Sequence, residues 1–208
     1  LFWLLPNVPL GLNIPEPKPR PEISEPKYSD VFNQIKKQNW VMAINLADDY
    51  DNKPLSSYIR WLDITRPGSK HKFEYLVNFF YSHPNWPKKN IIIEKIESSI
   101  TKSIDRKKII NWFKNNPPLT SKGSIDYLEA LIEDGSFYNK TNTIRDIWKK
   151  KNLTSSQQRY FIQKYSDYWT QQDNWERFNR LMIEGKDFSA RKTFKPLPLA
   201  SLAIPAPL

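Results

Sequence analysis

The feature that most constrains this chain is a recurring pair of helical segments closed by proline. In residues 57–87, large apolar side chains follow a 3.6-residue period up to a turn at 66–68, and a second such run ends at 83–87. Proline pushes the residue before it out of the helical region, and glycine supplies the backbone freedom that a turn needs. Neither helix can bury its aromatic face alone. We therefore expect the pair to be one unit of a larger stack.

The same pattern of prolines at helix ends recurs along the chain. The prolines at 117–118 repeat those at 84–87, and pairs start near Pro54, Lys88, Ser121 and Ser155. A spacing of roughly 33 residues is typical of helix-turn-helix repeats. We predict an all-α fold of roughly ten helices, a right-handed superhelix or solenoid of antiparallel helix pairs like that of tetratricopeptide repeats. An irregular all-α domain with short loops is the alternative.

Proline also sets the expected domain boundaries. Residues 1–27 read as a truncated signal-like segment followed by a proline-rich linker, 28–195 as the helical-repeat domain, and 196–208 as an unstructured proline-rich tail. The apolar start is too short to span a bilayer, so no stable membrane insertion is expected. It fits either the end of a secretory signal or a stray flank, and the linker behind it favours an exported protein.

Composition excludes several classes of site. Five glycines argue against a nucleotide-binding α/β fold, and the absence of cysteine excludes a disulfide scaffold and a thiolate metal site. The two histidines, His71 and His83, stand at helix boundaries without an HExxH pattern. We predict no metal site and no cofactor.

The formal net charge of +10 favours an anionic partner such as nucleic acid, an acidic membrane surface or an acidic cell-wall polymer. No feature other than the net charge favours binding to nucleic acid, so nucleic acid is not expected to be a partner. Trp86 and Trp112 could stack on sugar rings, although tryptophans at helical spacing more often belong to a core. The lysines predicted to contact a polyanion or glycan are Lys88, Lys89, Lys149, Lys150 and Lys151.

An ordered set of short motifs over about residues 40–195 resembles the N-terminal helical (superhelical) domain of soluble lytic murein transglycosylases. The motifs are Trp61-Leu62-Asp63, Arg66-Pro67-Gly68-Ser69, His83-Pro84-Asn85-Trp86-Pro87, Trp112-Phe113, Asn116-Pro117-Pro118-Leu119-Thr120, Gly123, Glu129-Ala130-Leu131, Ile144-Arg145, Trp148, Trp175-Glu176-Arg177-Phe178 and Glu184-Gly185.

This resemblance implies a periplasmic enzyme of the bacterial envelope. Such enzymes cleave peptidoglycan glycan strands between N-acetylmuramic acid and N-acetylglucosamine and form 1,6-anhydro products, using one glutamic acid as acid and then as base. A C-terminal lysozyme-like domain carries that chemistry, and we expect it to be missing from this chain.

The family's catalytic glutamate is followed by serine and later by a glycine-rich run. Glu97-Ser98 is the only such pair here, and no glycine-rich run follows it. We therefore predict that Glu97 is a solvated helix residue and that the chain contains no catalytic residue. The resulting hypothesis is a non-catalytic helical domain, inactive alone, that binds peptidoglycan weakly through its charge. The alternative is a stand-alone helical-repeat adapter that binds a peptide or an acidic polymer on a concave face.

Overall fold

The computed structural model describes residues 26–50, 52–135 and 137–194, which form eleven α-helices and two 3₁₀ turns and contain no strand. The predicted all-α class is confirmed, whereas the superhelical path and its handedness stay predictions. Apart from the start of the first helix at Pro26, the segments expected at 1–27 and 196–208 lie outside the described residues. The chain divides into two compact units, residues 1–61 and 62–208.

The first unit contains a helical hairpin and most of a third helix. The helices are α1 (Pro26–Lys36), α2 (Trp40–Asp49) and α3 (Lys53–Thr65), and α3 continues past the boundary between the units. Helices α1 and α2 pack on each other and wholly bury Val31, Ala43 and Ala47. Arg60 on α3 holds Asp48 with an Nη2 to Oδ2 distance of 2.6 Å, and this hydrogen bond lowers the pKa of Asp48.

The second unit continues the series with helices of similar length. They are α4 (Phe73–Ser82), α5 (Lys89–Ser99), α6 (Arg106–Asn115), α7 (Ser121–Glu133), α8 (Lys140–Lys150), α9 (Ser155–Tyr165), α10 (Gln171–Ile183) and the short α11 (Asp187–Arg191). Helices that start pairs begin at Lys53, Lys89, Ser121 and Ser155. Each start lies within one residue of its predicted position, so the repeat spacing is confirmed.

Basic side chains close the C-terminal ends of helices that lie two helices earlier in the chain. Lys95 on α5 donates from Nζ to the carbonyl oxygens of Arg66 and Ser69, at 3.2 and 3.0 Å, just after α3. Lys122 on α7 does the same at the end of α5, with Nζ 2.7 Å from the carbonyl oxygen of Ile100. The last carbonyl groups of a helix lack partners within the helix and carry partial negative charge. A basic side chain from the next helix pair donates hydrogen bonds to these carbonyl groups and also offsets their partial negative charge.

Arg177 on α10 has the same relation to α8. Its wholly buried guanidinium donates from Nη1 to the carbonyl oxygens of Trp148 and Lys151, and its Cζ lies 4.3 Å from the centroid of the Trp148 ring. Burial lowers the pKa of Arg177 to about 10. Trp169 stacks on Trp148 with centroids 4.3 Å apart. Helix carbonyls and an aromatic face therefore stabilise this buried charge.

Glu97 is a buried helix cap, so the prediction of a solvated residue is wrong. Its side chain is 0% exposed, and its carboxylate accepts hydrogen bonds from the backbone N–H groups of Leu119 and Thr120, both at 2.7 Å, and from the Thr120 hydroxyl. These donors lead into α7, whose N-terminus favours an anion. Nothing in the sequence close to Glu97 signals this role, because its partners lie 22 and 23 residues further on.

Gly123 leaves the space that this carboxylate occupies. A Cβ placed on Gly123 would lie 2.3 Å from Oε2 of Glu97, closer than any real contact of that kind. The glycine is therefore required by the side chain of a neighbouring helix.

We expect Gly123→Ala to lower the free energy of unfolding by about 1–3 kcal/mol, because the methyl group displaces the Glu97 carboxylate. Glu97→Ala should cost about 1–3 kcal/mol, since buried N–H groups lose their acceptor. In the double variant the clash no longer exists, so the two costs should fall well short of additive. Chemical denaturation of the four proteins measures this coupling.

Glu94→Ala is the matched control, because Glu94 is an exposed acid on the same helix. It should change the free energy of unfolding by less than about 0.5 kcal/mol. An equal cost of Gly123→Ala with and without the Glu97 side chain would contradict the assigned contact.

Asp173 ties the start of α10 to α8. Its wholly buried carboxylate accepts a hydrogen bond from the backbone N–H of Thr170 at 2.8 Å, and Nε and Nη2 of Arg145 donate to its two oxygens at 2.8 and 3.0 Å. Burial alone raises the pKa of Asp173. The hydrogen bonds from Arg145 and Thr170 outweigh that effect and lower the pKa from 3.8 to about 2.

Because the pKa of Asp173 is lower in the folded chain, its ionisation stabilises the fold above about pH 4, and this stabilisation is lost as the pH falls through about 2. We expect Asp173→Asn to lower the free energy of unfolding by about 2 kcal/mol near neutral pH. The difference from the parent protein should shrink towards zero in acid. Urea denaturation at a series of pH values measures it.

The control is Asp167→Asn, at an exposed acid in the preceding 3₁₀ turn. It should change the free energy of unfolding by less than about 0.5 kcal/mol. A difference for Asp173→Asn that stays constant with pH would assign the effect to lost hydrogen bonds instead of charge.

Candidate functional site

The five lysines predicted to contact a polyanion lie on two different helices. Lys88 precedes α5 in the left-handed conformation, with φ 61°, and Lys89 is the first residue of that helix. Both side chains are exposed. The other three, Lys149, Lys150 and Lys151, lie at the C-terminal end of α8. Positive charge at that end stabilises the helix whether or not a ligand binds.

The lysines at the end of α8 are engaged within the fold. Lys149 Nζ lies 3.0 Å from Oε2 of Glu176, and this hydrogen bond raises the pKa of Lys149. Lys150 pairs with Asp146 at 3.1 Å, and Lys151 donates to a backbone carbonyl 33 residues earlier at 3.2 Å. Contact with a glycan stays a prediction for all five lysines. The pair before and at the start of α5 is exposed to solvent.

A cleft of about 370 Å³ beside α6 and α7 collects carboxylates from α7. Burial raises the pKa of Asp126 although Lys122 lies 2.6 Å away. Each acid in this cleft has a basic partner. The pairs are Lys122 with Asp126, Lys164 with Glu129, and Arg106 with Glu133. The charges of the cleft are therefore balanced within the protein.

A second cleft, of about 240 Å³, lies between α4 and α6, and we call it the aromatic groove. Its lining residues are Phe73, Glu74, Val77, Asn78, Tyr81, Lys108, Asn111 and Trp112. Phe73 and Trp112 are buried, whereas Tyr81 is 52% exposed. The rings of Tyr81 and Trp112 meet edge to face with centroids 5.9 Å apart. The groove thus combines a buried apolar base with one accessible aromatic ring.

The polar groups of the aromatic groove are few. Glu74 and Lys108 form an ion pair at 3.0 Å. Asn78 and Asn111 are exposed, and their amides make no side-chain hydrogen bond to another described residue. The indole Nε1 of Trp112 is buried and has no hydrogen-bond partner within residues 26–50, 52–135 and 137–194. The groove therefore contains unused donors and acceptors beside an apolar surface.

The two tryptophans considered for sugar stacking differ in their surroundings. Trp112 is 2% exposed, so its assignment to the core is confirmed, although it also lines the groove. Trp86 is half-buried and meets Phe79 and His83 edge to face, with centroids 5.9 and 5.2 Å apart. His83 is the C-cap that follows the last residue of α4, at the helix end where it was predicted.

Sequence reasoning missed the aromatic groove, although one signal could have located it. Residues that meet at or beside the groove are separated by about one repeat: Glu74 and Lys108, which line it, are 34 residues apart, and Tyr81 and its neighbour Asn116 are 35 apart. Equivalent helices of successive pairs lie side by side in such a stack. An alignment of the second helices of successive pairs would have placed Asn78 on α4 and Asn111 on α6 at equivalent positions.

Within the described part of the chain, no group of three or more histidine, aspartate or glutamate side chains could hold a metal ion. No helix there is long and apolar enough to cross a membrane. No protein-family model, curated protein or solved structure matches the chain. The resemblance to lytic transglycosylases rests on the sequence motifs alone.

Proposed function

We propose that this chain is the non-catalytic helical domain of a periplasmic peptidoglycan lytic transglycosylase. In this role it holds glycan strands weakly, while a separate lysozyme-like domain cleaves them between N-acetylmuramic acid and N-acetylglucosamine. The resemblance supplies the class of enzyme. The structure supplies the reason for a non-catalytic role.

The observation that carries the proposal is the position of Glu97, the glutamate of the only Glu-Ser pair in the chain. An acid that cleaves a glycosidic bond must lie within hydrogen-bond reach of the bridging oxygen. The Glu97 carboxylate is 0% exposed and already accepts three hydrogen bonds at the start of α7. It is committed to holding two helix pairs together and has no surface to offer to a substrate.

The motifs that carry the resemblance support a scaffold role. Arg66 and Ser69 provide the carbonyl groups that Lys95 closes, and Gly123 provides the space for Glu97. Arg145 binds Asp173 at the next joint of the stack. These four residues that carry the resemblance thus lie at joints between helices. Such residues preserve a binding surface and perform no chemistry themselves.

Purified protein incubated with peptidoglycan sacculi should release no anhydro-muropeptides above the buffer control, as measured by mass spectrometry of the soluble fraction. The same protein should sediment with sacculi at low ionic strength, and the bound fraction should fall as salt is added, because exposed charges are screened. An active lytic transglycosylase serves as the positive control for release.

The lysine prediction is tested in the same sedimentation assay. Lys89→Glu should reduce the bound fraction, whereas Asn90→Asp, a smaller change of charge at the next exposed residue, should reduce it less. Release of anhydro-muropeptides by the parent protein would overturn the non-catalytic assignment. Retention that does not respond to salt or to Lys89→Glu would remove the electrostatic part of the proposal.

A further inference from the structure

Helix α10 directs all of its charged side chains to its contact with α8. The four charged residues of the helix are Asp173, Glu176, Arg177 and Arg180. The two acids pair with basic side chains of α8, and the two arginines donate to backbone carbonyl groups near the C-terminal end of α8. The joint between the two helices therefore uses every charge that α10 carries.

The outward side of α10 carries no charge, and we call it the neutral face. At roughly 100° per residue, about 120° of the circumference of the helix belongs to exposed, uncharged residues. They are Gln171, Gln172, Trp175, Asn179, Met182 and Ile183. Half of them are apolar, and Ile183 is 88% exposed. The solvent side of a surface helix normally carries charged and polar residues. The neutral face therefore has the composition of a surface that another segment covers.

We propose that the proline-rich segment 196–208 of the same chain docks along the neutral face of α10. The segment lies outside the described residues, and its sequence, PLPLASLAIPAPL, contains no charged side chain. Two uncharged surfaces can cover each other without burying an unpaired charge, which would be costly. The proposal departs from the expectation of an unstructured tail, which rested on the prolines alone. It does not depend on the proposed function.

The length of the segment suits the helix. The 3₁₀ turn Lys192–Phe194, which precedes the segment, contacts α10. Repeated prolines favour the polyproline II conformation, in which each residue advances about 3.1 Å. About seven residues in that conformation span the roughly 20 Å length of a 13-residue helix such as α10. The segment supplies more residues than that.

The side chains of the neutral face suit a polyproline segment. Such a segment has no internal hydrogen bonds, so its carbonyl oxygens need donors. Gln172 and Asn179 are exposed amides that can donate to them, and Trp175 lies between these two residues along the helix. Proline-rich segments bind to aromatic surfaces in this manner. Met182 and Ile183 extend the apolar surface that the leucines of the segment can cover.

A tethered segment fits this small face better than a second copy of the chain does. The neutral face has six exposed residues, whereas a stable interface between separate proteins uses roughly 20–30 residues on each side. A segment of the same chain meets the face at a high effective concentration, so fewer contacts are enough to hold it.

The test is a spin-label measurement on the full chain, which has no cysteine and only two methionines, Met42 and Met182. Ser201→Cys carries a nitroxide within the segment, and ¹³C-labelled methionine methyl groups report on α10 through Met182. We expect the nitroxide to broaden the Met182 methyl signal strongly, and reduction with ascorbate to restore it. Met182→Leu assigns the signal.

Two matched substitutions locate the contact. Asn179→Lys places a charge on the neutral face, where a docked segment covers it, so the paramagnetic broadening of Met182 should fall roughly fivefold or more. Gln163→Lys makes a similar change at an exposed amide residue of α9 and should leave the broadening unchanged. Both variants should keep the circular dichroism spectrum of the parent protein, because both residues are exposed.

An unbroadened Met182 signal, or equal broadening in the two lysine variants, overturns the docking of this segment. A mixture of spin-labelled protein without ¹³C and ¹³C-labelled protein without nitroxide tests which chain supplies the segment. We expect no broadening of Met182 in the mixture. Broadening there assigns the neutral face to the segment of a second copy and overturns docking within one chain.

Discussion

The stack depends on charged side chains that close helix ends in a neighbouring helix pair. Helices α4 to α10 contain only 10 to 13 residues, and isolated helices of that length are marginal in water. Lys122 and Arg177 satisfy carbonyl groups at helix C-termini, Lys95 satisfies carbonyl groups of the turn after α3, and Glu97 satisfies N–H groups at an N-terminus. Each contact is both a cap and a link between pairs. Apolar burial gives the stack its cohesion, and these charges fix how one pair sits on the next.

The same contacts explain where sequence reasoning succeeded and failed. Helical period, proline and glycine are local signals, so the all-α class and the starts of the pairs could be predicted. Gly68, for example, has φ +74° in the turn that ends α3, as its sequence position suggested. Glu97 looked like a solvated residue because its acceptor role depends on donors that folding brings from more than twenty residues away. A charged residue in a repeat protein cannot be assigned to solvent until the neighbouring pair is considered.

Prediction of the candidate site was limited in the same way, because sequence patterns do not show which distant residues come into contact. Counting lysines suggested Lys149, Lys150 and Lys151 as ligand contacts, but a net charge does not reveal which cations already have partners. The aromatic groove escaped notice for the opposite reason: Asn78 and Asn111 have ordinary sequence surroundings and line one cleft only because folding brings α4 and α6 together. Sites formed between equivalent helices of successive repeats are recognised by comparing one repeat with the next.

The exposed lysines and the charge-balanced aromatic groove are two different kinds of surface. Exposed lysines such as Lys89 attract anions from a distance, and salt screens that attraction. The two charged residues of the aromatic groove neutralise each other, so any contact made there depends on short-range packing and responds little to salt. Because Glu97 and Asp173 are wholly buried, a substitution at an exposed residue such as Lys89 can change surface contacts without removing the joints that these two acids form.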